Sequence, residues 1–394
     1  METAYEFIVV GCGGIGSAAA YWLSRVAGNE VLALEQFHIG HDNGASQDHS
    51  RIIRLSYHTP EYTALTPHTY TAWQEVEDES GVQLVYRTGG LDIAPEGTTA
   101  LDAYASSMRA AGIPFDELSA AETMERFPQF RLDPTDRALF QAESGLVDPR
   151  KAIQTHVALA RAHGATVLDN TPVRRVTPVG DGVEVETDAG TFTASRLVVT
   201  SDAWTNQVLE GVGVSYPLTV TQEQVTYFAT PNLRDFAPDR FPIWIWHGES
   251  SGWFYGFPVY GEVATKAGED VGGDVVTADT RTFEPNERPY DRLTAFLETY
   301  IPGSLGPVLY TKTCLYTMTP DRNFIIERVP ECPQIAVALG AAHGFKFSCL
   351  IGQILSDLAV EGDTRYPIAP FTSNRPAIKD PSFPVEFSLS PAAD

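Results

Sequence analysis

The apolar positions of the first forty residues change period twice. Phe7-Ile-Val-Val10 is an unbroken apolar run, the pattern of a strand buried on both faces of a parallel sheet. Ser17-Ala-Ala-Ala-Tyr-Trp-Leu-Ser-Arg25 then reads as a helix apolar along one side. Glu30-Val-Leu-Ala-Leu34 returns as a second buried strand, with Glu35 at its tip. Further along, Lys151 to His163 carries the helical period. Ala165-Thr-Val-Leu168, Gly182-Val-Glu-Val-Glu186 and Leu197-Val-Val-Thr200 read as strands. Residues of about 86–149 and 216–317 alternate apolar and aromatic side chains, which predicts an antiparallel sheet. No internal repeat or low-complexity linker stands out, and the Pro-rich tail after Phe371 is expected to wrap the surface.

The junction between the first strand and its helix is Gly11-Cys-Gly-Gly-Ile-Gly16, a G-x-G-x-x-G at a strand end. Gly11 permits the tight turn, Gly13 lets backbone approach a pyrophosphate, and Gly16 lets helix and strand pack closely. The helix N-terminus then offers unsatisfied N–H groups and a favourable dipole to the phosphates. Glu35, nineteen residues after Gly16, is placed to accept hydrogen bonds from ribose hydroxyls and disfavours a 2′-phosphate. Strand, helix, strand and acid in register therefore predict dinucleotide binding. They do not separate NAD from FAD.

The chain has 394 residues, longer than the roughly 250–300 at which a single core stops growing, so two interleaved domains are expected. Apolar residues make up 43% and charged residues 20%, an ordinary globular composition. A formal charge of −24 repels phosphate backbones and anionic lipid, which argues against nucleic acid as a partner. Cys12, Cys314, Cys332 and Cys349 form neither a paired framework nor a C-x-x-C metal spacing, so no metal is expected and a reducing, cytoplasmic compartment fits. The stretch from Phe7 to Leu23 lacks a basic leader and contains four glycines, so it reads as strand and helix instead of a signal peptide. Nothing else approaches a membrane span.

Three further segments add chemistry: Gly44-Ala-Ser-Gln-Asp-His-Ser-Arg-Ile-Ile-Arg54, Cys314-Leu-Tyr-Thr-Met-Thr-Pro-Asp321 and His343-Gly-Phe-Lys-Phe-Ser348. In this order, with Ser119 to Pro128, Gly145-Leu-Val-Asp-Pro149 and Asn374-Arg-Pro376, they resemble the monomeric sarcosine oxidase and N-methyltryptophan oxidase family. The resemblance runs nearly end to end. It implies FAD, oxidation of the C–N bond of secondary or N-methyl amino acids, electron transfer to molecular oxygen with release of hydrogen peroxide, and a working monomer. A biosynthetic flavin oxidase or dehydrogenase acting on a cyclic imino acid is the alternative. A non-catalytic dinucleotide-binding module is opposed by the joint presence of Arg54, Lys346 and Cys314.

The resemblance also implies roles. Arg54 and Lys346 would anchor the substrate carboxylate, and Arg51 would sit against the flavin and the active-site charges. Lys266 would activate oxygen, and Tyr255 and Tyr316 would line the substrate pocket. Cys314, in its Cys-x-Tyr-Thr-x-Thr setting, would carry the flavin covalently by a thioether to the 8α carbon. Gly11, Gly13, Gly14, Ile15, Gly16, Glu35, Ser50, Arg51, His343, Gly344 and Lys346 are the expected cofactor contacts. Gln47, His49 and Ser50 match only loosely, and none is assigned a catalytic proton. Two departures stand out: Asp270 where the family commonly shows a histidine, and Asp202 where related chains carry the glycine of an A-G-A-W turn.

The expected fold is therefore α/β, α+β overall: a Rossmann-like FAD-binding domain with a second, mainly antiparallel-sheet substrate domain. Because His343 to Lys346 must meet a flavin held at the start of the chain, the first domain is expected to be discontinuous, over 1–85, 150–215 and 318–375. The second takes 86–149 and 216–317, and 376–394 forms the C-terminal tail.

Overall fold

The computed structural model describes residues 3–248, 252–385 and 387. At its centre β1 (Ala4–Val10) lies parallel to β2 (Val31–Leu34) on one side and to the strand Gly190–Val199 on the other, with Val10 level with both Leu34 and Val199. Thr166–Leu168 extends the sheet beyond β2, and Ile335–Leu339 lies parallel to Gly190–Val199. Antiparallel strands Val173–Val179, Gly182–Thr187 and Ile325–Arg328 complete eight. The unbroken apolar run is explained by two-sided burial. Phe7 and Val9 enter one core, while Tyr5, Ile8 and Val10 enter another on the opposite face.

The helix predicted from Ser17 begins earlier: α1 spans Gly14–Ala27, because the last two glycines of the motif form its first turn. The helix predicted from Lys151 spans Pro149–Ala162. Its start is fixed by Asp148, whose carboxylate accepts from the N–H groups of Arg150 and Lys151 at 3.0 and 3.1 Å, with Pro149 in the first turn. Against α1 packs the helix Ser348–Val360, so closely that a Cβ on Gly352 would come within 2.6 Å of Ala18. This contact carries the end of the chain back to the Gly-rich loop.

A second sheet of nine strands has the order 274–276, 219–228, 265–269, 253–257, 243–247, 90–94, 137–141 and 116–119, with Val308–Met318 paired to 219–228. Every pairing in it is antiparallel except that of Gly90–Ala94 with Ile243–His247, which is parallel. A small third sheet joins Arg51–Ile53, Gly145–Val147 and Val85–Arg87. The expected mixed architecture is thus the observed one. Of the tail after Phe371, residues 372–385 are exposed or half-buried except for Ser373 and Ala377, in keeping with a surface course, and residues 386 and 388–394 lie outside the described residues. No helix among the described residues is long and apolar enough to cross a membrane.

Candidate active site

All parallel strands of the first sheet end on one edge, and there the chain opens a cavity of about 620 Å³. It runs from Gly11, Gly13, Glu35 and Thr200 to Tyr255, Tyr316, Arg54 and Lys346, which brings together residues that the sequence separates by more than 300 positions. At the first end, Gly11 takes a positive φ of 88°, and a side chain there would meet the Thr200 carbonyl at 2.7 Å. A Cβ on Gly16 would fall on the Gly11 carbonyl oxygen, so α1 touches the turn of its own strand. Glu35 holds the loop: one carboxylate oxygen accepts from Cys12 N–H at 2.8 Å, the other from Phe37 N–H at 3.1 Å. The cradle that only glycine permits, a helix N-terminus beside it and a carboxylate at the tip of β2 fit the adenosine and pyrophosphate portion of FAD. Ile15 and Gly14 line the same end, and the Ser46 hydroxyl accepts from Gly14 N–H at 2.9 Å.

The middle of the cavity is charged. Arg51 opens the small sheet and donates to the Ser50, Ala45 and Gln47 carbonyls at 3.0, 2.9 and 3.3 Å, and to Asp48 at 3.2 Å. Asp48 also accepts from Tyr227 Oη at 2.5 Å and lies 2.7 Å from Lys266 Nζ. Burial raises the Asp48 carboxyl, but the Lys266 ammonium and Arg51 outweigh it and hold the group well below the usual carboxylate range. Burial pushes Lys266 down to about 8, opposed chiefly by Asp48. Lys266 occupies a strand position opposite Phe257, with its ammonium 4.4 Å from that ring. Ser50 does not line the cavity. Its carbonyl and hydroxyl accept from Lys266 Nζ at 2.7 and 3.3 Å, so it supports the lysine from behind.

Cys314 and Tyr316 project from alternate positions of Val308–Met318, opposite Glu223 and Thr221, and both line the cavity. Cys314 is a free thiol that burial pushes up to about 11, against the opposing charge of Arg51. Arg281 ties this strand to the loop near the Gly-rich turn, donating to the Thr313 hydroxyl at 2.9 Å and to the Asp42 carbonyl at 3.1 Å. Tyr255 lies opposite Gly268, where a Cβ would come within 3.0 Å of its hydroxyl.

At the far end Arg54 is buried between the rings of Tyr57 and Tyr104, 4.9 and 5.2 Å from their centroids, and donates to Asp92 at 2.6 Å. Asp92 is fixed in turn by Ser56 at 2.6 Å and by His247 at 2.8 Å. The Arg54 Nε atom is buried without a hydrogen-bond partner among the described residues. Lys346 donates to the Tyr57 hydroxyl at 3.0 Å and to the His343 carbonyl at 2.9 Å, both neutral oxygens. Burial, Arg54 and Arg322 push its pKa well down. Its own carbonyl accepts from Trp73 Nε1 at 2.8 Å, which pins the segment 343–346 in place. His343 Nε2 lies 3.0 Å from the Arg322 carbonyl and Nδ1 lies 3.1 Å from Tyr57 Oη, so Nε2 carries the proton and Tyr57 donates to Nδ1. Burial, then Lys346 and Arg322, keep this histidine neutral. Gly340 and Gly344 touch, which turns the chain sharply before Lys346.

Asp270 faces the cavity, and its partner is neither Lys266 nor open solvent. Arg322 Nη1 and Nη2 donate to its two oxygens at 2.8 and 2.8 Å. Asp48, Asp92 and Arg322 carried no role in the sequence, since each is defined by a partner distant along the chain. Asp202 lies on the cavity wall with φ of 46°, the left-handed region in which glycine is at ease, and burial pushes its carboxyl up to about 6.

The family model described as FAD dependent oxidoreductase matches residues 6–358. Monomeric sarcosine oxidase of Arthrobacter sp. (strain TE1826) is 35% identical over 382 residues, covering 95% of this chain and 97% of that one. N-methyl-L-tryptophan oxidase of Yersinia pestis (strain Pestoides F) is 28% identical over 375 residues, with 94% and 99% covered. Among solved structures, NikD, described as an unusual amino acid oxidase essential for nikkomycin biosynthesis, superposes with a TM-score of 0.83 at 28% identity, covering 94% of this chain and 98% of that one.

Proposed function

The chain belongs to the FAD dependent oxidoreductase family, and from that premise we propose that it oxidises the C–N bond of N-methyl or other secondary amino acids, with molecular oxygen as acceptor and hydrogen peroxide as product. The observation that carries this reading is the meeting of Arg54 and Lys346 in one buried cavity that also opens on the Gly-rich loop. Relatives with 34–36% identity over nearly the whole chain bear the sarcosine oxidase name, so a cyclic-imine dehydrogenase is the less favoured alternative.

Bound FAD would supply the two-electron acceptor. Gly11, Gly13, Gly14, Ile15 and Glu35 would hold its adenosine and pyrophosphate, and Arg51, His343, Gly344 and Lys346 would bound the other end. Cys314 would hold it by a thioether at the 8α carbon. The protein's own task at the substrate is placement. Lys346, whose hydrogen bonds among the described residues go to neutral oxygens, and Arg54, whose Nε has no partner among them, would bind the carboxylate. Tyr255 and Tyr316 would form the walls. The amine must be neutral when its neighbouring carbon is oxidised, and the cations around it favour loss of its proton. The imine formed would then hydrolyse in water. Lys266 would keep a positive charge where oxygen is reduced. Four unpaired thiols support a reducing cytoplasmic setting, and the family likeness supports a monomer.

Anaerobic mixing with a panel of N-methyl and cyclic amino acids tests the reading. Loss of flavin absorbance with sarcosine or a larger N-methyl amino acid, and stoichiometric peroxide once air is admitted, are expected. A protein that binds no flavin, or whose spectrum no secondary amine changes, would refute it.

A further inference from the structure

We infer that the Asp270–Arg322 ion pair gauges the substrate side chain, and that it selects amino acids whose side chain is uncharged and ends in a hydrogen-bond donor such as a carboxamide. The inference rests on the secondary-amine reading above and names the substrate class of that same site.

Both terminal nitrogens of Arg322 are engaged, and its Nε, which has no hydrogen-bond partner among the described residues, is buried away from the cavity surface. Nη1 donates to Asp270 and to the Phe387 carbonyl at 2.8 and 2.7 Å, Nη2 donates to the other Asp270 oxygen, and the side chain is 2% exposed. Asp270 differs. A carboxylate accepts about four hydrogen bonds. Two of these go to Arg322, and the side chain keeps 18% exposure on a cavity wall shared with Trp253, Tyr255 and Tyr316. A substrate therefore meets the acceptor half of the pair. The pair also belongs to the carboxylate anchor, because the Arg322 carbonyl is held by His343, three residues before Lys346.

Charge decides between the donors that could sit there. Arg54 is matched by Asp92 and Arg322 by Asp270, while Lys346 has neutral partners and is held toward its uncharged form, so that one bound anion would restore its charge and complete the balance. The α-carboxylate supplies that anion. A second carboxylate on the side chain would face Asp270 with no cation left to match it, and a cationic side chain would bring a charge for which no unmatched anion remains in the desolvated space. A neutral donor meets neither penalty.

Three N-methyl amino acids of nearly equal outline separate the outcomes: N-methylasparagine, N-methylleucine and N-methylaspartate. With the flavin-loaded enzyme, kcat/KM and the ligand-induced rise in melting temperature are both expected to favour N-methylasparagine, by about tenfold or more in kcat/KM. Asp270→Asn releases Arg322, so N-methylaspartate should overtake the amide by a similar factor. Asp270→Asn with Arg322→Gln should erase both preferences. A folded Asp270→Asn that keeps the wild-type order overturns the inference. If that variant does not fold, the wild-type order decides, and equal use of all three substrates overturns it as well. Oxidation of sarcosine but none of the three would sink the side-chain gauge while sparing the amine oxidase. Failure of sarcosine too would remove the premise and the inference with it.

Discussion

Lys266 Nζ lies 2.7 Å from an Asp48 carboxylate oxygen, and both side chains are 2% exposed. Such a pair keeps the lysine charged inside the protein, which burial alone opposes. If Lys266 supports oxygen reduction, Lys266→Met should slow the oxygen half-reaction by about 10²- to 10³-fold. Reduction of the enzyme by substrate should change only slightly. Stopped-flow measurement of the two half-reactions checks this, and an unchanged oxygen step removes the role.

The same pair sets a pH limit. With a pKa near 8, Lys266 loses its charge as pH rises, so the oxygen step should fall off above about 8. Asp48→Asn removes the opposing anion and should move the fall to lower pH by about 1–3 units. A profile that stays flat from pH 6 to 9 in both proteins would contradict the assignment.

Arg54 is positioned through Asp92. Arg54→Met should lower kcat/KM for carboxylate substrates by about 10- to 100-fold, chiefly through KM. Asp92→Asn leaves the arginine buried without its anion and should destabilise the protein by about 3–5 kcal/mol, with partial recovery when a carboxylate ligand is added. Burial raises the Asp92 carboxyl, but Arg54 outweighs it and the net shift is downward. Its stabilisation is therefore complete above the usual carboxylate pKa of about 4 and is lost as pH falls through the lower folded value. Chemical denaturation across pH 3–7 reads this directly.

For Cys314 the readout is colour. Acid precipitation of the native holoenzyme should carry the yellow into the pellet, whereas Cys314→Ser should release it to the supernatant. Release from the native protein rules out the covalent bond.

Asp202 occupies a left-handed conformation. Asp202→Gly should stabilise the chain by about 1 kcal/mol, since it removes backbone strain and a buried carboxyl in one change. Equilibrium unfolding in urea measures it.

What the sequence made legible followed from how local each signal is. Gly11 to Glu35 announces itself because the turn, helix start and strand tip lie within one short stretch, and each glycine answers a contact its neighbours impose. Cys314, Arg54 and Lys346 were readable only through family resemblance, as nothing adjacent to them dictates their meeting. Asp48 lies inside a segment that resemblance singled out, yet its partners Lys266 and Tyr227 come from the nine-stranded sheet. Arg322 follows the Pro-Asp of another such segment and acquires meaning only when Asp270 is brought opposite it. The parallel pairing of Gly90–Ala94 with Ile243–His247 is equally invisible, because strand patterning carries no direction.

The Asn374-Arg-Pro376 segment closes this arrangement. Arg375 grips Asp321 with two hydrogen bonds at 2.7 and 3.0 Å and takes the carbonyls of Asn323 and Phe324, thereby fixing the turn that presents Arg322. Synthesis delivers the Gly-rich loop first and this clasp more than 300 residues later. The nucleotide cradle needs Thr200 against Gly11 and the helix Ser348–Val360 against α1, and the substrate chamber has no finished wall until Arg375 is in place, so neither half of the site is complete from the first part of the chain alone.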